Sequence, residues 1–173
     1  GLWEACEDAV LLEGWMKFVV DGLAPSLAPF AASGYDSPRQ TLMWCLVLSS
    51  IARPAGAHLP TYDWIRWRRL GPMTWGLTAV WGALLVAAFM YRDPPMKHQG
   101  WALVAWWTLA AFAAGYTHAM IFVELGVRCK EGGFGSVDRQ RCFRWAGMST
   151  QAGALGGTLL AFWLVNASGW FVY

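Results

Sequence analysis

The sequence predicts an all-α integral membrane protein, a bundle of five transmembrane helices, and three observations carry that expectation. Hydrophobic residues make up 57% of the 173 residues and charged residues only 14%, against about 25% charged in an ordinary soluble domain. Mean hydropathy is +0.35. The chain also divides into five apolar stretches close to the roughly 20 residues that a helix needs to cross a hydrocarbon core about 30 Å thick. Too few polar side chains remain to cover a soluble domain, and the apolar content excludes a disordered chain. The net charge of +2, with Lys and Arg in short loops, excludes a nucleic-acid-binding face.

The spans fall in order at 11–32, 40–59, 74–91, 100–125 and 145–173. The first is interrupted by Asp21, Pro25 and Pro29, and the second carries Arg53 and Pro54 near its far end. The fourth is the most uniformly apolar, and the fifth is rich in glycine in its first half. Turn formers separate them: Ser33-Gly34 and Ser37-Pro38, Gly71-Pro72, Asp93-Pro94-Pro95, then Gly132-Gly133 and Gly135. Short loops of this kind join antiparallel neighbours. The opening at Gly1 lacks the basic-then-apolar pattern of a signal peptide, and the chain stops at Tyr173 inside an apolar run. The expectation is the C-terminal part of a longer polypeptide.

Charge orients the bundle. Arg66, Arg68 and Arg69 in one loop and Arg128, Lys130, Arg139, Arg141 and Arg144 in another share a side, against Arg39, Arg92 and Lys97 on the other. The positive-inside rule then places the N-terminus and the two richer loops in the cytosol, with Tyr173 outside. Cys129 and Cys142 fall on the reducing side, where free thiols are expected. With Cys6 and Cys45 they form no C-x-x-C pair, so neither a metal site nor a disulfide framework is indicated. Trp3, Trp15, Trp75, Trp101, Trp145 and Trp170 sit near span ends, where indole rings favour the interface. Trp106 and Trp107 lie deeper and serve packing or a binding surface.

Ionisable groups at bilayer depth are costly and face the bundle interior or a water-filled cavity. Asp21, Arg53, His118 and Glu124 are the candidates; Lys17 and Glu124 are expected to snorkel. Asp21 precedes Gly22 and Pro25. Either the helix breaks there beside a cavity, or it is Pro-kinked with Asp21 paired to Arg53 or near a headgroup. His118 has no histidine at matching depth, since His58 and His98 lie at span ends, so haem is not expected. Gly153 and Gly157, at G-x-x-x-G spacing, let another helix approach closely, and Ala111 and Gly115 on the fourth span are the expected partner face. Gln151 beside them needs an amide partner in the bundle or in a ligand. Ser49 and Ser50 offer donors, although such serines often bond their own backbone. No P-loop, Ser-His-Asp or H-E-x-x-H arrangement is present, and no cofactor is implied. Kinked spans with sparse intramembrane polar groups suit a secondary transporter better than an enzyme.

Four segments also resemble a known family in order and spacing. Asp21-Gly22-Leu23-Ala24-Pro25-Ser26 resembles the N-G-[VM]-L-P-S segment of the eukaryotic riboflavin transporters, solute carrier family 52. Leu46-Val47-Leu48-Ser49-Ser50-Ile51-Ala52-Arg53-Pro54 resembles its apolar helix ending in A-N-P, Gly115-Tyr116-Thr117-His118 its S-Y-V-K, and Gln151-Ala152-Gly153-Ala154-Leu155-Gly156-Gly157 its Q-[VL]-G-S-L-L-G. The resemblance implies the last five of eleven spans, the C-terminal bundle of a major-facilitator-like carrier, completed by N-terminal helices absent from this sequence. It implies riboflavin uptake at the plasma membrane. Asp21, Arg53 and His118 depart from the pattern, which has Asn, Asn and Lys there. A paired Asp21 and Arg53 would keep the site neutral.

Riboflavin is uncharged, with a flat ring system and a polyhydroxyl tail, so its site wants aromatic faces and a few amide or hydroxyl partners. Asp21, Ser26, Arg53, Trp106, Tyr116, His118 and Gln151 are the expected substrate-binding residues, and His118 or Asp21 could carry a coupled proton. The alternatives are a carrier of another small solute, such as a nucleoside or drug, a non-transporting membrane scaffold, and a membrane enzyme or haem protein. The loop from Asp63 to Arg69 has the charge types of the major-facilitator signature loop but not its spacing.

Overall fold

A computed structural model describes residues 1–62, 64, 66–67, 69–90 and 98–167. Helices α1 (Leu2–Lys17), α2 (Ala24–Ser33), α3 (Pro38–His58), α4 (Leu70–Phe89), α5 (Gly100–Glu131) and α6 (Ser136–Asn166) follow one another, and no strand occurs among the described residues. The expected loop groups Asp63, Arg68, Arg92, Asp93-Pro94-Pro95 and Lys97, and the end of the last span with Trp170 and Tyr173, lie outside the described residues.

The first span does not break at Asp21. A π-helical turn, Phe18–Leu23, joins α1 to α2, and the backbone stays right-handed helical through Lys17 and Ala24. Pro25 has no N–H to give the carbonyl four residues earlier, that of Asp21. The chain absorbs the lost bond by widening one turn, and the Ala24 N–H reaches back five residues to the Val19 carbonyl. The result is one long rod, 2–33, beginning nine residues before the apolar span.

The other boundaries shift for a common reason. Hydropathy ends a span at the first charges, but helices continue where charges pair and one face stays buried. α5 runs on to Glu131 because Glu124 and Arg128 pair four residues apart, 3.1 Å between Oε1 and Nε, while Leu125 and Cys129 stay buried. α6 starts at Ser136, well before the expected 145, with Asp138 in its first turn and Cys142 and Ala146 buried. Gly133, at φ +67, makes the turn between them. α4, α5 and α6 are each long and apolar enough to cross a membrane. At 32 residues, α5 spans about 48 Å.

Two helix pairs dominate the packing: α3 lies on α5, and α1 with its π turn lies on α6. Small residues set both seams. A Cβ added at Gly153 would overlap the Gly14 carbonyl, and one at Gly157 would overlap the Phe18 carbonyl and lie 2.9 Å from the Gly22 Cα. On the other seam, Gly115 meets the Arg53 backbone and Gly56 meets Phe112. The expectation that Gly153 and Gly157 face the Ala111–Gly115 pair is therefore wrong. Each glycine face serves a different partner, because the α1 rod carries its own small residues, Gly14 and Gly22, at the matching height. The outer faces remain apolar and exposed, with Trp44, Val47 and Ile51 on α3 and Leu155, Leu159 and Phe162 on α6. Such faces belong against lipid or further helices rather than water.

Candidate functional site

The rod carries Glu13, Lys17 and Asp21 four residues apart, on one side of the helix. Lys17 Nζ lies 3.0 Å from Asp21 Oδ2 and 4.0 Å from Glu13 Oε1. Beyond Asp21, Arg53 of α3 brings Nη2 to 2.6 Å from Oδ1. Beyond Glu13, His118 of α5 places Nδ1 2.7 Å from Oε1, and Thr150 of α6 donates its hydroxyl to the same oxygen at 3.0 Å. Three of the longest elements thus contribute to one polar chain, His118–Glu13–Lys17–Asp21–Arg53. Two carboxylates face two permanent cations, which offsets the desolvation of charge at this depth.

Burial grades along the chain. The Glu13 side chain is 0% exposed, that of Lys17 11%, Asp21 25% and Arg53 40%. Glu13 Oε2 has no hydrogen-bond partner among the described residues. The Asp21 end opens on a cavity of about 350 Å³ between the rod, α3, α4 and α5, lined on its polar side by Lys17, Asp21, Arg53 and His118. Its aromatic wall is Trp81 of α4 and Trp107 of α5, packed edge to face with ring centroids 5.1 Å apart. The Trp81 indole N–H is buried and has no partner among the described residues. The volume lies at the lower end of the roughly 300–1,000 Å³ that small-molecule sites occupy.

Of the expected binding residues, the structure brings Asp21, Arg53 and His118 to this cavity and leaves four away from it. Ser26 is turned back on its own helix, donating to the Gly22 carbonyl at 3.0 Å. Tyr116, midway along α5, accepts the Trp67 backbone N–H at 3.0 Å. Trp106 is 45% exposed, with its indole N–H 3.3 Å from the Val80 carbonyl, and lines a separate, shallower groove with Tyr35 and Ala102. Gln151 is exposed on α6. Ser49 and Ser50 line the cavity but donate to the carbonyls of Leu46 and Val47 in their own helix. Lys17, expected to snorkel, is an interior ion-pair partner instead, because Glu13 and Asp21 offer it carboxylates within the bundle.

The sequence held signals for what it missed. Glu13 is the hub, and its four-residue spacing to Lys17 and Asp21 marks a shared face. Trp107 shares the helical phase of Ala111, Ala114, Gly115 and His118, all cavity-lining, whereas Trp106 does not.

The model of solute carrier family 52, riboflavin transporter, matches residues 7–173 of the sequence, including every residue of this polar chain. No curated protein and no solved structure matches. With helices long and apolar enough to cross a membrane, a cavity with one polar side and a family match over nearly its whole length, the chain belongs to the riboflavin transporters of solute carrier family 52.

Proposed function

We propose that the chain is the C-terminal bundle of a secondary carrier that takes up riboflavin at the plasma membrane. It contributes five spans: the 2–33 rod, α3, α4, α5 and α6. A major-facilitator-like partner bundle of upstream helices, with lipid, covers the exposed face of α6, where Gln151 finds its partner. The N-terminus lies in the cytosol and the C-terminus outside. Alternating access needs two bundles rocking about a central site, so these residues alone do not transport.

The observation that carries this reading is the cavity itself. Trp81 and Trp107 wall it, and the polar chain that supplies its polar side, Glu13, Lys17, Asp21 and Arg53, balances in formal charge. An uncharged, flat, hydrogen-bonding solute meets such a site without leaving a net charge unpaired. The roles follow by residue type: Trp107 and Trp81 stack or edge against the ring system, and Arg53, Lys17 and His118 donate to its carbonyl and hydroxyl oxygens. The test is uptake of labelled riboflavin by cells expressing the full-length protein. Unlabelled riboflavin should compete and nucleosides should not; equal competition by nucleosides would assign the carrier to another substrate, and no flux of any solute would leave a scaffold.

A further inference from the structure

The start of α1, the end of α5 and the start of α6 meet at one end of the bundle, away from the cavity, and each brings a cysteine. Cys6, Cys129 and Cys142 are each 0% exposed, and their sulfurs lie within 4.8 Å of one another. Cys6 Sγ is 2.8 Å from Cys142 Sγ and 3.9 Å from Cys129 Sγ. Sequence spacing concealed this cluster, because the ligands of a metal site need converge only in space. Cys45 is buried on α3, apart from it.

We propose that Cys6, Cys129 and Cys142 form a binding site for a soft monovalent metal ion of the copper(I) class. Thiol sulfur selects soft ions over the oxygen-seeking calcium and magnesium. The coordination number separates copper(I) from zinc. Zinc takes four ligands in structural sites, and among the described residues no fourth His, Cys, Asp or Glu joins the three sulfurs. Complete burial leaves no open side for a water to fill that position. An ion with metal–sulfur bonds of about 2.3 Å in a trigonal plane holds its sulfurs about 4 Å apart. The Cys6–Cys129 separation has that value already, and the Cys6–Cys142 edge opens by side-chain rotation.

Each sulfur that ligates exchanges its S–H bond for a metal–sulfur bond and releases the proton, up to three per ion, with no change of oxidation state. Arg128, next to Cys129 in sequence, donates to the Ala5 carbonyl at 3.4 Å, beside Cys6, and pairs with Asp8 and Glu124. A bound ion would pin the ends of three helices that otherwise meet through packing and through the Arg128 contacts with Ala5 and Asp8.

The test uses full-length protein purified without oxygen and titrated with copper(I) buffered by a competing chelator. The expected result is that Cys6→Ser, Cys129→Ser and Cys142→Ser each lose one bound ion relative to the parent protein, or weaken it at least a hundredfold, while Cys45→Ser binds as the parent does. Zinc(II) should fail to displace the ion. X-ray absorption of the parent protein loaded with one equivalent needs no variant and should show three sulfur neighbours alone. Unchanged binding in all three variants, zinc binding in preference to copper(I), or a nitrogen or oxygen neighbour would overturn the proposal. So would a Cys6–Cys142 disulfide in freshly purified protein together with no bound copper.

Discussion

Arg53 of α3 and Asp21 of the π turn meet with 2.6 Å between Nη2 and Oδ1, and the same carboxylate holds Lys17 at 3.0 Å. Both partners reached this contact through proline-bearing turns: Pro25 widens the rod just after Asp21, and Pro54 directly follows Arg53. The pair is part of the cavity lining, so it joins the architecture of two helices to the surface a solute would touch.

Asp21→Asn alone leaves Lys17 and Arg53 with an unbalanced positive charge, and Arg53→Asn alone leaves the carboxylate with only Lys17. Each single variant should lower the initial rate of riboflavin uptake about tenfold, equivalent to about 1.4 kcal/mol, a modest value because Arg53 is 40% exposed and partly screened. The double variant should recover most of the rate. A double variant as poor as the worse single would show that the two residues act separately.

Glu13 is fully buried and serves His118, Thr150 and Lys17 at once. Glu13→Ala should destabilise the full-length protein by about 3–5 kcal/mol, the usual cost of stripping one partner from a buried charged pair. Glu13→Gln keeps the shape and an acceptor oxygen and should lose less. Thermal unfolding in detergent reads both; a Tm for Glu13→Ala equal to that of the parent would remove Glu13 from the centre of the network.

Trp107→Ala should raise the KM for riboflavin about tenfold, since it removes half of the aromatic wall and such ring contacts are worth roughly 0.5–1.5 kcal/mol beyond area. Trp106→Ala, one residue along the same helix, lines a separate groove and should leave KM within about twofold. Equal effects of the two substitutions on KM would place the ring system outside the cavity.

Gly157→Ala puts a methyl group against the Phe18 carbonyl and the Gly22 Cα and should cost about 1–3 kcal/mol. Gly147→Ala, on the same helix with open space around the added carbon, should be neutral or gain about 0.5–1 kcal/mol from reduced backbone freedom in the unfolded chain. Thermal unfolding of the two variants side by side checks the seam. A Gly157→Ala protein as stable as Gly147→Ala would mean that α6 does not approach the rod so closely.

The sequence by itself determined that this protein is helical, that its helices suit lipid, and that Asp21, Arg53 and His118 would need company. Those conclusions rest on quantities that add along the chain: apolar length, the scarcity of charge and the position of turn formers. Tertiary structure alone decided that Gly153 and Gly157 meet Gly14 and Gly22, that Trp107 rather than Trp106 walls the cavity, and that three distant cysteines converge. Those facts depend on the rotation and pairing of helices, which the close fit of small residues on two backbones sets, and hydropathy carries no record of that fit.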